Sequence, residues 1–250
     1  MSDLSPEAST LAIPPQALSA AEPRTLGATP AYWFCMFAAS ALGTNLGDFT
    51  VDTLSLARGA SFALLAAITV AAIWGDGKYG GRAEAGYWIA IVTLRAAATN
   101  VSDFLTHDLR LGYVAATTAL GIATLCAGAF TRIGRGGTPL IDGRYWIAML
   151  IAGIFGTTGG DLAAHTLGLY AASAVLCGTV LIVLAARSRF AATSALGYWC
   201  IVLAERCAGT PVGDGLASYR AIGLGLPLAM VCTCALLAIA LLTRAARRAR

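Results

Sequence analysis

The sequence predicts an all-α polytopic membrane bundle of about eight transmembrane helices, arranged as four two-helix repeats. Three observations lead there. Of 250 residues, 58% are hydrophobic and only 12% charged, whereas soluble domains carry about a quarter charged residues. Apolar stretches recur at roughly the length that crosses a bilayer. One motif then returns four times in the same register.

The stretches lie at roughly 31–51, 59–75, 86–105, 112–131, 145–164, 167–186, 195–217 and 222–243. An even number of spans places both termini on one side. Basic residues assign that side, because short cytoplasmic loops collect Lys and Arg. Arg24, Lys78, Arg82, Arg132, Arg135, Arg144, Arg187, Arg189, Arg244, Arg247, Arg248 and Arg250 fall on one side. Arg58, Arg110 and Arg220 fall on the other. The expectation is a cell inner (plasma) membrane protein with both termini cytoplasmic. Residues 1–29 have scattered prolines and no basic start before an apolar run, which reads as a disordered cytoplasmic tail rather than a signal peptide.

Each repeat opens on a Tyr-Trp pair: Tyr32-Trp33, Tyr87-Trp88, Tyr145-Trp146 and Tyr198-Trp199. These aromatics are expected at the membrane interface. Fifteen residues after each Trp stands an aspartate (Asp48, Asp103, Asp161, Asp214), and four before each aspartate a threonine (Thr44, Thr99, Thr157, Thr210). Small residues flank both, for example Gly43 and Gly47, or Gly156 and Gly160. The boundaries are 30–79, 85–133, 144–189 and 195–245, followed by a basic tail at 246–250. Eight residues before the aspartate, copies two and four carry Arg95 and Arg206, and copies one and three carry Ser40 and Gly153. The chain is thus also a doubled pair, roughly 30–133 and 144–245. All copies share one orientation, so their first helices are expected around a common axis along the membrane normal.

The Tyr-Trp starts, the Gly-Thr-x-x-Gly-Asp cores and the turns at Gly112-Tyr113 and Gly168–Tyr170 resemble a bacterial family of uncharacterised membrane-anchored proteins made of tandem membrane repeats. The resemblance covers about residues 30–245. It departs in copy two, where Ala98 and Ser102 replace the glycines, and in copy four, where Pro211 enters the helix. It implies a four-repeat membrane fold and supplies no activity.

Threonine and aspartate four apart share one helix face. The aspartate stands about 22 Å along the helix from its Trp, toward the exterior mouth. A charge inside the membrane costs roughly 2.5–3.5 kcal/mol and marks a pathway or an internal partner. Four carboxylates with threonine co-ligands make an oxygen environment suited to Mg²⁺, Ca²⁺ or Mn²⁺. His107, His165 and Asp52, each four residues beyond its aspartate, are expected in an outer vestibule that binds a cation or relays protons. The leading expectation is a transporter or binder of a hard cation, or of a proton-coupled solute. Two alternatives stand beside it. Arg95 and Arg206 either balance the aspartates or bind an anion in an anion/proton symporter, or the motif only packs helices in a structural or sensory protein.

No nucleophile elbow, His-Glu-x-x-His or Walker loop is present, so no enzyme and no cofactor are expected. Partners are the bilayer and a small cation or solute, with no basic patch for nucleic acid. The seven cysteines form no Cys-x-x-Cys pair and are expected as small buried apolar residues. The terminal arginines are expected on anionic lipid headgroups.

Overall fold

The computed structural model describes residues 25–78, 84–134, 137–190 and 194–248. Within these it is all-helical, with no strand and one isolated bridge, Ile133 to Pro139, between two helices. The order is α1 (Pro30–Asp48), α2 (Arg58–Lys78), α3 (Ala85–Asp103), α4 (Tyr113–Ala129), α5 (Gly143–Leu167), α6 (Leu169–Phe190), α7 (Ala195–Ala217) and α8 (Gly225–Arg248). A π-helical turn continues α1 at Phe49–Thr53 and α3 at Phe104–Asp108.

Side chains at the helix starts accept the free N–H groups there. Thr29 accepts from the Tyr32 amide, with Pro30 following, and Asp142 accepts from the Tyr145 amide. Ser194 does the same for Gly197. The caps of α1 and α5 therefore stand three residues before the tyrosine, which puts the two tyrosines at one height.

The odd-numbered helices form an inner ring in chain order: α1 packs on α3, α3 on α5, α5 on α7, and α7 closes on α1. The even-numbered helices form the outer layer. Each packs chiefly on the inner helix that follows it, α2 on α3, α4 on α5, α6 on α7, and α8 on α1. Each outer helix thus reaches across to the next copy, and α4, α6 and α8 also touch a second inner helix.

Size matching fixes the ring order. The small residue before each motif threonine faces the position eight before the aspartate in the next copy. A Cβ on Gly43 would stand 2.6 Å from Cβ of Arg95, and one on Gly156 2.5 Å from Cβ of Arg206. A Cβ on Gly209 would stand 2.6 Å from Cβ of Ser40. At the remaining joint the sizes invert: Ala98 carries the Cβ and Gly153 is the glycine, with 2.8 Å available for a second Cβ. The departure of copy two from the glycine pattern is compensated on the neighbouring helix.

Four helices, α2, α5, α6 and α8, are long and apolar enough to cross a membrane, and they mark the chain as a membrane protein. This is fewer than the eight expected. α4 is apolar but has 17 residues. α1, α3 and α7 spend their inward face on polar groups such as Asn45, Arg95, Asn100 and Glu205, all buried. The outer helices instead expose Leu64, Val70, Ile122, Leu181, Val231 and Leu242, a surface that lipid tolerates and water does not.

Four further expectations are corrected. Leu26 is buried in the core and Thr29 caps α1, so the chain is anchored from residue 26 rather than free up to residue 29, while residues 1–24 lie outside the described residues. α8 runs through Arg248, so residues 246–248 continue a helix. Arg244 is not at a headgroup surface: it is 4% exposed, pairs with Glu84 at 3.2 Å, donates to Thr29 and lies over the Tyr32 ring. Among the cysteines only Cys35 and Cys207 are buried, since Cys126, Cys200, Cys232 and Cys234 sit on the lipid-facing side of their helices.

Candidate functional site

Three layers stack along the axis of the inner ring. At one end the four motif tyrosines close a ring of hydroxyls, Tyr32 to Tyr87 at 2.9 Å, Tyr87 to Tyr145 at 2.6 Å, Tyr145 to Tyr198 at 3.2 Å and Tyr198 to Tyr32 at 2.6 Å. In such a cycle every hydroxyl has one donor and one acceptor partner, which satisfies these buried polar groups. Each Trp packs against the tyrosine of the preceding copy: Trp88 on Tyr32, Trp146 on Tyr87, Trp199 on Tyr145, and Trp33 on Tyr198. The tyrosines are at most 2% exposed. They were expected as an interfacial belt and are instead an axial plug, because the helix rotation turns them inward.

The middle layer holds the two arginines, both at most 2% exposed. They occupy equivalent positions and point in opposite directions. Arg95 reaches toward the aspartates: Nη1 donates to Thr99 (3.0 Å), Thr157 (2.5 Å) and the Gly153 carbonyl, Nη2 to Thr44 (3.0 Å) and Thr210 (2.7 Å), and Nε to Ser40 (3.3 Å). One motif threonine from each inner helix thus accepts from a single guanidinium, whose five N–H groups all have acceptors. Arg206 reaches toward the tyrosines, donating from Nη2 to the Met149 sulfur at 3.1 Å. Its Nη1 has no partner, nor does Oε2 of the adjacent buried Glu205. Among the described residues neither arginine lies within ion-pair distance of an aspartate, so the direct pairs weighed from sequence do not form.

Above the threonines the axis widens into a cavity of about 240 Å³. Asp48, Asp103, Asp161 and Asp214 line its wall, with Thr44, Thr99, Thr157 and Thr210 toward its base. His107 and His165 join them in the lining. Asp52 does not: it is exposed and outside the lining, although it holds the same place in its π-helical turn as His107 does in the turn after Asp103. Tyr113, which the sequence did not single out, lines the cavity between the histidines, its hydroxyl 3.3 Å from Nε2 of His107 and its ring 5.0 Å from that of His165. The signal was available in the Gly112-Tyr113 turn, but Tyr170 in the corresponding turn is exposed, so the turn alone does not separate the two.

The carboxylates are nearly unengaged by protein. Asp103 lies 3.9 Å from Nδ1 of His107. Asp48, Asp161 and Asp214 have no side-chain hydrogen bond or ion pair to a described residue. No set of three His, Cys, Asp or Glu among the described residues is close enough to grip a bare metal ion. The threonines cannot act as free co-ligands in this state. Thr44, Thr99 and Thr210 donate their own protons to the carbonyls of Ser40, Arg95 and Gly156, and their oxygens accept from Arg95.

α7 runs unbroken through Pro211, and the proline is buried. The missing N–H frees the Cys207 carbonyl, which faces the close approach of Gly160 on α5. This is a packing role rather than a broken helix.

No family model, curated protein or solved structure matches the chain.

Proposed function

We propose that the chain is an eight-span bundle of four repeats in a bacterial-type inner membrane, and that it binds and carries a small hard cation in the aspartate-lined cavity. The observation that carries this reading is the convergence of four carboxylates, one from each inner helix, on one cavity where protein leaves them almost without partners. Four anionic groups at such a place are tolerated when a cation or protons complete them. Arg95 supplies one positive charge one turn below and leaves the rest uncompensated.

The geometry favours a cation that keeps part of its water shell. The cavity of about 240 Å³ has room for several waters beside an ion. Carboxylates too far apart to chelate directly then bind through water, as Mg²⁺ commonly requires. The basic-residue count favours the tyrosine end, with both termini, on the cytoplasmic side, and the cavity at the exterior mouth. An anion finds no free guanidinium here, because every N–H of Arg95 is already used and Arg206 points away.

The test is elemental analysis of cells expressing the wild type or the four-fold Asp→Asn variant at equal membrane levels. The reading expects one divalent metal to change with the wild type alone. Identical metal contents in the two, with both proteins folded, overturn it.

A further inference from the structure

The four motif threonines stand out as an arrangement with its own ligand chemistry. Their oxygens converge from four helices on one plane-shaped cation, the Arg95 guanidinium, which is 1% exposed and has no carboxylate in contact. Three of the hydroxyl protons are tied to backbone carbonyls, which turns the oxygen lone pairs inward. Gly43 gives the side chain its room, since any Cβ there would overlap the Arg95 stem. Arg206, at the equivalent position, has no such cage: it meets one sulfur and leaves a nitrogen without a partner. The cage is therefore a built feature of the threonine ring rather than a general property of a buried arginine in this bundle.

We propose that the ring of Thr44, Thr99, Thr157 and Thr210 is a second cation site, in series with the aspartate cavity, which the chain fills with its own Arg95. Arg95 is then a tethered cation that blocks the axis below the cavity, and a cation passing from the aspartates must displace it. The site itself needs only the threonines. Its place on a transport path rests on the cavity reading above.

Removing the tether vacates the ring and leaves a space matched to free guanidinium. The full-length Arg95→Ala protein is purified in detergent, and its thermal unfolding is followed with guanidinium chloride from zero to about 10 mM, well below denaturing concentrations. Urea, the neutral isostere, is titrated in parallel. If guanidinium binds with Kd near 1 mM, mass action raises Tm by about 3 °C or more. The wild type shifts less, because its ring is full, and Arg206→Ala shows no comparable shift. Arg95→Leu, which keeps the stem atoms that pack on Gly43, vacates the same ring and is carried beside Arg95→Ala in case the latter fails to fold. Equal stabilisation by urea, an equal guanidinium shift in the wild type or in Arg206→Ala, or no shift in either Arg95 variant overturns the proposal. A shift confined to the Arg95 variants stands even if the aspartate cavity takes no metal, so the two readings fail separately.

Discussion

Exchanging the sizes at the α3–α5 joint tests the packing rule that orders the inner ring. A Cβ added at Gly153 would stand 2.8 Å from the Cβ of Ala98, well inside van der Waals contact. Gly153→Ala gains about 1 kcal/mol of helix propensity and costs about 1–3 kcal/mol of overpacking. Ala98→Gly alone costs about 1 kcal/mol through the backbone. In the double variant the propensity terms cancel and the clash is gone, so its stability returns close to that of the wild type. The coupling in a double-mutant cycle equals the clash, about 1–3 kcal/mol. The assay is reversible unfolding in detergent micelles of increasing denaturing strength, with all four proteins measured together. Additivity within about 0.5 kcal/mol would mean that the joint relaxes freely and that size matching does not fix the ring order.

Other expectations follow from the same geometry. Tyr145→Phe breaks the hydroxyl cycle and leaves two neighbours short of a partner, so it costs about 1–3 kcal/mol, whereas replacing all four tyrosines costs less than four times that value, as thermal melts of the two proteins will reveal. Arg206→Met should be neutral or stabilising, because it removes a buried nitrogen with no partner, while Arg95→Met destabilises by roughly 3 kcal/mol through the threonine oxygens it strands; comparison of their melting temperatures decides. Arg244→Met should destabilise by about 2 kcal/mol, since it removes the buried ion pair with Glu84 and the hydrogen bond to Thr29, and chemical unfolding measures it.

The fold class and the cluster of aspartates were legible in the sequence for a physical reason. A fixed spacing on a helix fixes both height and face, so four copies of Tyr-Trp…Thr-x-x-x-Asp in one orientation deliver four equivalent groups to each level. Helix rotation is what the spacing leaves open. Tyr32 and its equivalents were therefore assignable to a lipid interface or to the axis, and the structure puts them on the axis. Side-chain direction is equally hidden: Arg95 and Arg206 share a register, yet one turns toward threonine oxygens and the other toward Met149. Asp52 drops out although His107, at the same place in an equivalent π-helical turn, lines the cavity, so the spacing of four alone does not decide which side chain reaches it. The role of Arg244 was masked by its place beside a basic tail, where charge suggests lipid and only the fold reveals Glu84.

The central claim is that the carboxylates of Asp48, Asp103, Asp161 and Asp214 hold a cation in the cavity. Isothermal titration of Mg²⁺, Ca²⁺ and Mn²⁺ into the purified full chain measures it directly. The account predicts saturable binding of at least one of these ions to the wild type and to Asp52→Asn, and its loss in the four-fold Asp→Asn variant. No binding to the folded wild type, or undiminished binding to the folded four-fold variant, would contradict it.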